Sequence, residues 1–187
     1  MATSTSASNL TAANPLWTIA EVNTWDVETF VARLGGVFES SPWIAERAWT
    51  TRPFADLDAL HRSMVEVVNS ATEEQQLALI RAHPDLVGAA ALAGTLTPAS
   101  TGEQAAAGLD PGSLTPDEIA EFAIRNAVYN ERFGFPFVIC ARENRKASIL
   151  AGLQARVDHP AEQERQTALD EIAKIAWFRL TDLIANG

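Results

Sequence analysis

Apolar positions recur three and four residues apart along most of the chain, the spacing of helices with one buried face, and capping residues punctuate the pattern. Val27, Phe30, Val31 and Leu34 share a face of a first helix that Thr24 can cap and Gly35-Gly36 ends. Ser41-Pro42 opens a second through Trp43, Ile44 and Trp49; it stops near Arg52-Pro53, because the residue before a proline disfavours the helical region. A third is predicted from about Asp56 to Asn69. Thr72 followed by Gln75 is a capping box for a fourth, which carries Leu77 and Ile80 and runs up to His83.

Small residues around Ser100 to Gln104 form another short helix. Thr115-Pro116-Asp117-Glu118 combines a cap, a proline at the first helical position and a glutamate at the third, so a helix through Asn130 follows. The next segment, FGFPFVICA, has strand character but is too short and isolated to build a sheet. Helices over about Lys146 to Val157 and Pro160 to Ile184 complete the chain, with no internal repeat. The pattern predicts an all-α, single-domain bundle of about eight to nine helices over residues 15–187, preceded by a disordered tail at 1–14. That tail, MATSTSASNLTAAN, lacks the charged start and apolar core of a signal peptide.

A length of 187 residues with 47% hydrophobic content suits one domain with a substantial core. The net charge of −10 excludes a surface that grips nucleic acid or an anionic membrane, both of which need clustered cations. No apolar run approaches the ~20 residues of a membrane span. Cys140 is the single cysteine, which rules out intrachain disulfides and points to a reducing compartment. The chain ends Ala-Asn-Gly rather than Ser-Lys-Leu, and a cytoplasmic location is expected. His61, His83 and His159 lie too far apart for typical zinc-ligand spacing, and no Gly-rich phosphate loop or lysine-based cofactor motif occurs. Neither metal nor cofactor is expected.

Candidate chemistry concentrates between His83 and Ala141. Pro84 pushes His83 out of its helix, beside exposed helix carbonyls that favour a protonated imidazole suited to acid or base work. A mere carbonyl cap is the alternative. Ser100, Glu103 and Gln104, at i, i+3 and i+4, face one way. Ser-x-x-Glu is also a capping box, although Thr97-Pro98 is another plausible helix start and capping leaves Gln104 unexplained. Arg179 lies on the face formed by Leu169, Ile172, Ile175, Ala176 and Leu183, where an arginine needs an anionic partner. That partner is a carboxylate such as Glu103 or a substrate group. The Phe135-Pro136-Phe137 backbone can offer peptide groups to a ligand.

Several motifs in order carry a family likeness: Trp49-Thr50-Thr51-Arg52-Pro53-Phe54, His83-Pro84-Asp85-Leu86, Gly94-Thr95-Leu96-Thr97, Ser100 to Gln104, Arg132 to Val138, and Thr167-Ala168-Leu169 continuing to Arg179-Leu180. Through them the chain resembles the 2-oxo-4-hydroxy-4-carboxy-5-ureidoimidazoline (OHCU) decarboxylases of urate breakdown. The resemblance implies a cofactor-free, all-helical, usually homodimeric enzyme that makes (S)-allantoin and carbon dioxide. It assigns the catalytic histidine to His83, the glutamate to Glu103 and the carboxyl-terminal arginine to Arg179. It places substrate contacts at Pro84, at Ser100, Thr101, Gly102, Glu103 and Gln104, and along Phe137, Val138, Ile139, Cys140 and Ala141. A loop at Asp110-Pro111-Gly112-Ser113 and the amino-terminal tail depart from the pattern without touching a matched residue. The main rival reading is a helical module that binds a small anion without chemistry.

Overall fold

The computed structural model describes residues 16–185, and the tail expected at 1–14 lies outside them. Ten α-helices follow one another: α1 (Ile19–Thr24), α2 (Val27–Leu34), α3 (Pro42–Trp49), α4 (Leu57–Asn69), α5 (Glu73–Arg81), α6 (Ala89–Leu92), α7 (Pro98–Ala106), α8 (Pro116–Phe133), α9 (Lys146–Arg156) and α10 (Ala161–Thr181). Eight of them exceed two turns; α1 and the four-residue α6 are the short exceptions. The all-α reading therefore holds. No strand forms among the described residues, where the only bridge joins Trp17 to Ile184 and ties the two ends of the domain together.

Local chemistry explains most helix boundaries. Asp56 caps α4, and reciprocal capping boxes close the starts of α5 at Thr72 and Gln75 and of α8 at Thr115 and Glu118. The start of α2 differs from expectation. Its cap is Asp26, whose carboxylate accepts the Thr29 amide at 2.8 Å. Thr24 instead ends α1, a helix opened by its own Thr18–Glu21 box, and turns its hydroxyl back to the Glu21 carbonyl. Two capping residues in close succession marked one helix's end and the next one's start. α8 runs past Asn130 to Phe133, and Gly134, at φ 70°, supplies the left-handed turn that stops it.

The core lies around α10, which packs on α4 and α5 through Ala168, Leu169, Ile172, Ala176 and Leu180. Phe30, Leu60, Met64, Phe122 and Tyr129 fill it from the other helices. The motif at Trp49 to Phe54 is part of this framework. The Arg52 guanidinium stacks on Trp49 and donates to the carbonyls of Asn23 and Trp25, while Asn23 pairs with both backbone groups of Phe54. Its side chains fasten the α1–α2 junction to the α3–α4 corner.

Candidate active site

Pro84 ends α5 so that the chain after Arg81 turns out of the helix, and His83 folds back over the last turn. Its Nδ1 lies 2.9 Å from the Leu79 carbonyl oxygen. A carbonyl only accepts, so Nδ1 carries the proton and Nε2 is the bare nitrogen. Nε2 is buried and has no protein partner. Burial pushes the His83 pKa down to about 4; the Leu79 hydrogen bond opposes that, Arg179 adds to it and Glu39 opposes it. The protonated imidazole expected from the helix carbonyls is thus overturned, because desolvation outweighs the helix end. His83 caps its helix and also presents a free, neutral nitrogen.

Thr97 caps α7 by accepting the Ser100 amide, with Pro98 at the first helical position. Ser100 therefore lies inside the helix, and with Glu103 and Gln104 it points inward. Thr101 and Gly102 occupy the opposite, exposed face, where the Thr101 hydroxyl bonds the Thr97 carbonyl. The Gln104 oxygen accepts the amide of Val87, a β-branched residue held at φ 54°, so Gln104 supports a strained turn just beyond the His83 segment. Asn126 and Asn130 of α8 hold the same segment through the Leu86 carbonyl and the Asp85 carboxylate. The Gln104 side-chain nitrogen is buried and has no protein partner.

Arg179 rises from α10 between two carboxylates. Its Nε and Nη2 bind the two oxygens of Glu103 at 2.9 and 3.0 Å, a bidentate fork. Nη1 binds Glu39 at 2.9 Å and the Val37 carbonyl at 3.4 Å, and Nη2 also reaches the Ser100 hydroxyl at 3.4 Å. Every guanidinium donor thus ends on protein. Burial opposes the Arg179 charge, but its two carboxylate partners more than offset that and raise its pKa. Glu39 was missed in the sequence. It follows the apolar pair Val37-Phe38 in a loop, with no periodicity to show that it faces inward.

These groups surround one recess of about 390 Å³, counted out to its opening to solvent. His83, Pro84, Leu86, Ser100, Glu103, Gln104, Phe137, Val138, Ile139, Ala141, Ile175 and Arg179 line it. Leu86 and Ile175 are additions to the sequence expectation. Thr101, Gly102 and Cys140 do not line it; Cys140 is buried within the wall, and its amide donates to Glu171 at 2.7 Å. Among the described residues, no cluster of three or more His, Cys, Asp or Glu has the arrangement to hold a metal ion.

The OHCU decarboxylase family profile matches residues 23–181. The chain belongs to the OHCU decarboxylase family. It is 43% identical over 169 residues to the 2-oxo-4-hydroxy-4-carboxy-5-ureidoimidazoline decarboxylase of Haloferax volcanii, covering 90% of this chain and 97% of that one. The enzyme of the same name from Amia calva is 43% identical over 164 residues, covering 88% and 93%. Among solved structures, that of an (S)-allantoin synthase superposes with a TM-score of 0.73 at 30% identity. The match covers 90% of this chain and 54% of that longer protein. In this OHCU decarboxylase family member, the recess offers a bare imidazole nitrogen, a free amide donor and a carboxylate whose orientation is fixed by Arg179. Such a set can bind a polar heterocycle and move one of its protons.

Proposed function

We propose that the recess beside His83 binds 2-oxo-4-hydroxy-4-carboxy-5-ureidoimidazoline and converts it to (S)-allantoin and carbon dioxide. Family membership makes the chain a carboxy-lyase of urate breakdown, and the names of its relatives supply the substrate and the product's hand. The observation that carries the assignment of residues is the bare, buried Nε2 of His83, which shares its recess with Glu103 and the free Gln104 amide.

The substrate bears hydroxyl and carboxylate on one ring carbon and the ureido group on the next. The C–C bond to the carboxylate breaks, carbon dioxide leaves, and the bonding pair forms a double bond to the ureido-bearing carbon as that carbon's ring C=N pair shifts onto the nitrogen, which takes up a proton from solvent. The hydroxyl then becomes the product carbonyl and that neighbouring carbon gains a proton on one face. A neutral His83 starts this sequence as the base for the hydroxyl proton, and the imidazolium so formed returns a proton to the neighbouring carbon. The negative charge of bound substrate raises the imidazole's basicity at that moment. General acid–base help of this kind contributes about 10² to 10⁴-fold, so orientation and electrostatic stabilisation supply much of the remainder.

Glu103 keeps free lone pairs after its fork with Arg179 and accepts substrate N–H or O–H groups, while Gln104 donates through its side-chain nitrogen. Arg179, with its donors all on protein, holds Glu103 and Glu39 in place and does not grip the substrate directly. Ser100, Pro84 and the backbone of Phe137 to Ile139 and Ala141 complete the binding surface. No described helix is long and apolar enough to cross a membrane. A cytoplasmic homodimer suits the buried lone thiol and the exposed Ile124 and Val128 on α8. Freshly generated substrate tests the reaction directly: added protein should speed optically active allantoin of the S form, and racemic product at the spontaneous rate would overturn it.

A further inference from the structure

A second buried guanidinium lies behind the wall of the recess. Arg156, in the last turn of α9, sends Nε to Glu164 at 2.9 Å and Nη1 to the Val138 carbonyl at 2.9 Å, with its face over the Phe137 ring. Glu164 is fully buried and also accepts from the Tyr129 hydroxyl and from His159 Nδ1, so its position is fixed from three helix-borne or loop-borne groups. A buried ion pair is a poor way to gain stability, since packed apolar side chains of the same volume serve as well. What it provides is direction.

That direction is transmitted through two peptide planes. The only cis peptide bond among the described residues precedes Pro53, so the Val138–Ile139 unit is trans and its N–H points opposite to the carbonyl that Arg156 grips. In the next unit Glu171 takes the Cys140 amide at 2.7 Å, which turns the Ile139 carbonyl away from Glu171. Both backbone groups of Ile139 therefore face away from these anchors, and neither has a hydrogen-bond partner among the described residues. Ile139 lines the recess, whereas Arg156 and Glu171 do not. The guanidinium charge on the carbonyl also polarises that peptide and strengthens the Ile139 N–H as a donor.

We infer that Arg156 is a positioning residue that aims and polarises the Ile139 amide toward a carbonyl or carboxylate oxygen of the substrate. The inference rests on the decarboxylase reading of the recess. It is tested by steady-state kinetics together with calorimetric binding of (S)-allantoin to the intact chain. Arg156→Lys keeps a charge but cannot span Glu164 and Val138 together, and should raise KM and weaken (S)-allantoin binding about tenfold, with kcat altered less. Arg156→Met with Glu164→Gln removes both charges, preserves folding by circular dichroism and should show the same KM defect. His159→Gln loosens Glu164 but leaves Arg156 on Val138, so KM should stay within about twofold of wild type. Normal KM and normal (S)-allantoin affinity in folded Arg156→Lys or in the folded double variant would overturn the inference alone. Wild-type protein that neither turns over the substrate nor binds (S)-allantoin would overturn the functional reading and this inference with it.

Discussion

The clusters around Arg179 and Arg156 use the same chemistry, a buried guanidinium on a buried carboxylate, yet they differ in balance and in what they hold. Arg179 faces two carboxylates and leaves one excess negative charge at the edge of the recess, beside an imidazole that burial keeps neutral. Arg156 faces one through Nε and Nη2, and its third nitrogen, Nη1, donates to a backbone carbonyl behind the wall. On the proposed reading the first fixes a side chain that meets substrate, and the second fixes a peptide. Burial of an arginine says that it has a partner; counting its donors says what the partner is for.

The largest expected effect separates the clusters by their charge balance. Removing one member of a buried ion cluster strands its partners and costs about 3–5 kcal/mol, on the order of 10 °C in melting temperature. Arg179→Met and Arg156→Met should both lose that much. Recovery should differ: Glu164→Gln alone restores most of the loss in Arg156→Met, whereas Arg179→Met needs both Glu39→Gln and Glu103→Gln. Full recovery with Glu103→Gln alone would remove Glu39 from the account. Arg179→Lys should also lose stability along with turnover, because one ammonium cannot reproduce the fork on Glu103 and the contact to Glu39.

A smaller effect comes from His83. Its folded-state pKa of about 4 lies below the ordinary value of 6.5, so as pH falls through that window the unfolded chain takes up a proton that the folded protein refuses. Stability present above pH 6.5 is lost toward pH 4, by roughly 3 kcal/mol. Carboxylates titrate over part of the same range, so the measurement is the difference between wild type and His83→Asn in denaturant melts. The variant should lose distinctly less stability on acidification, and parallel curves would place a charged imidazole in the folded protein. Smaller still is Thr97→Ala, which removes the α7 cap and costs about 1 kcal/mol, with a correspondingly looser Ser100–Gln104 face.

Features written in neighbouring residues were legible in the sequence. Capping boxes at Thr72 and Thr115 marked helix starts, and the i, i+3, i+4 spacing brought Ser100, Glu103 and Gln104 to one face. The same helical spacing puts Thr101 and Gly102 on the far side of α7, although the motif treats them as contiguous with the site. Features set by distant packing were not legible. The charge state of His83 depends on the desolvation that the assembled helices impose, and Glu39 meets Arg179 from 140 positions away. The segment after Gly134 reads as a strand because its aromatic and β-branched residues suit extended backbone. No neighbouring strand exists among the described residues, and side chains of Arg156 and Glu171 take up its peptide groups instead.

The central claim is that the bare nitrogen of neutral His83 carries the proton. The most direct measurement is the rate and handedness of allantoin formed by His83→Asn, whose amide can still donate to the Leu79 carbonyl and so preserve the end of α5. The account predicts a folded protein with at least a hundredfold lower rate and loss of catalysed (S)-allantoin. Retention of more than about a tenth of the wild-type rate, with the S product still in excess, would contradict it.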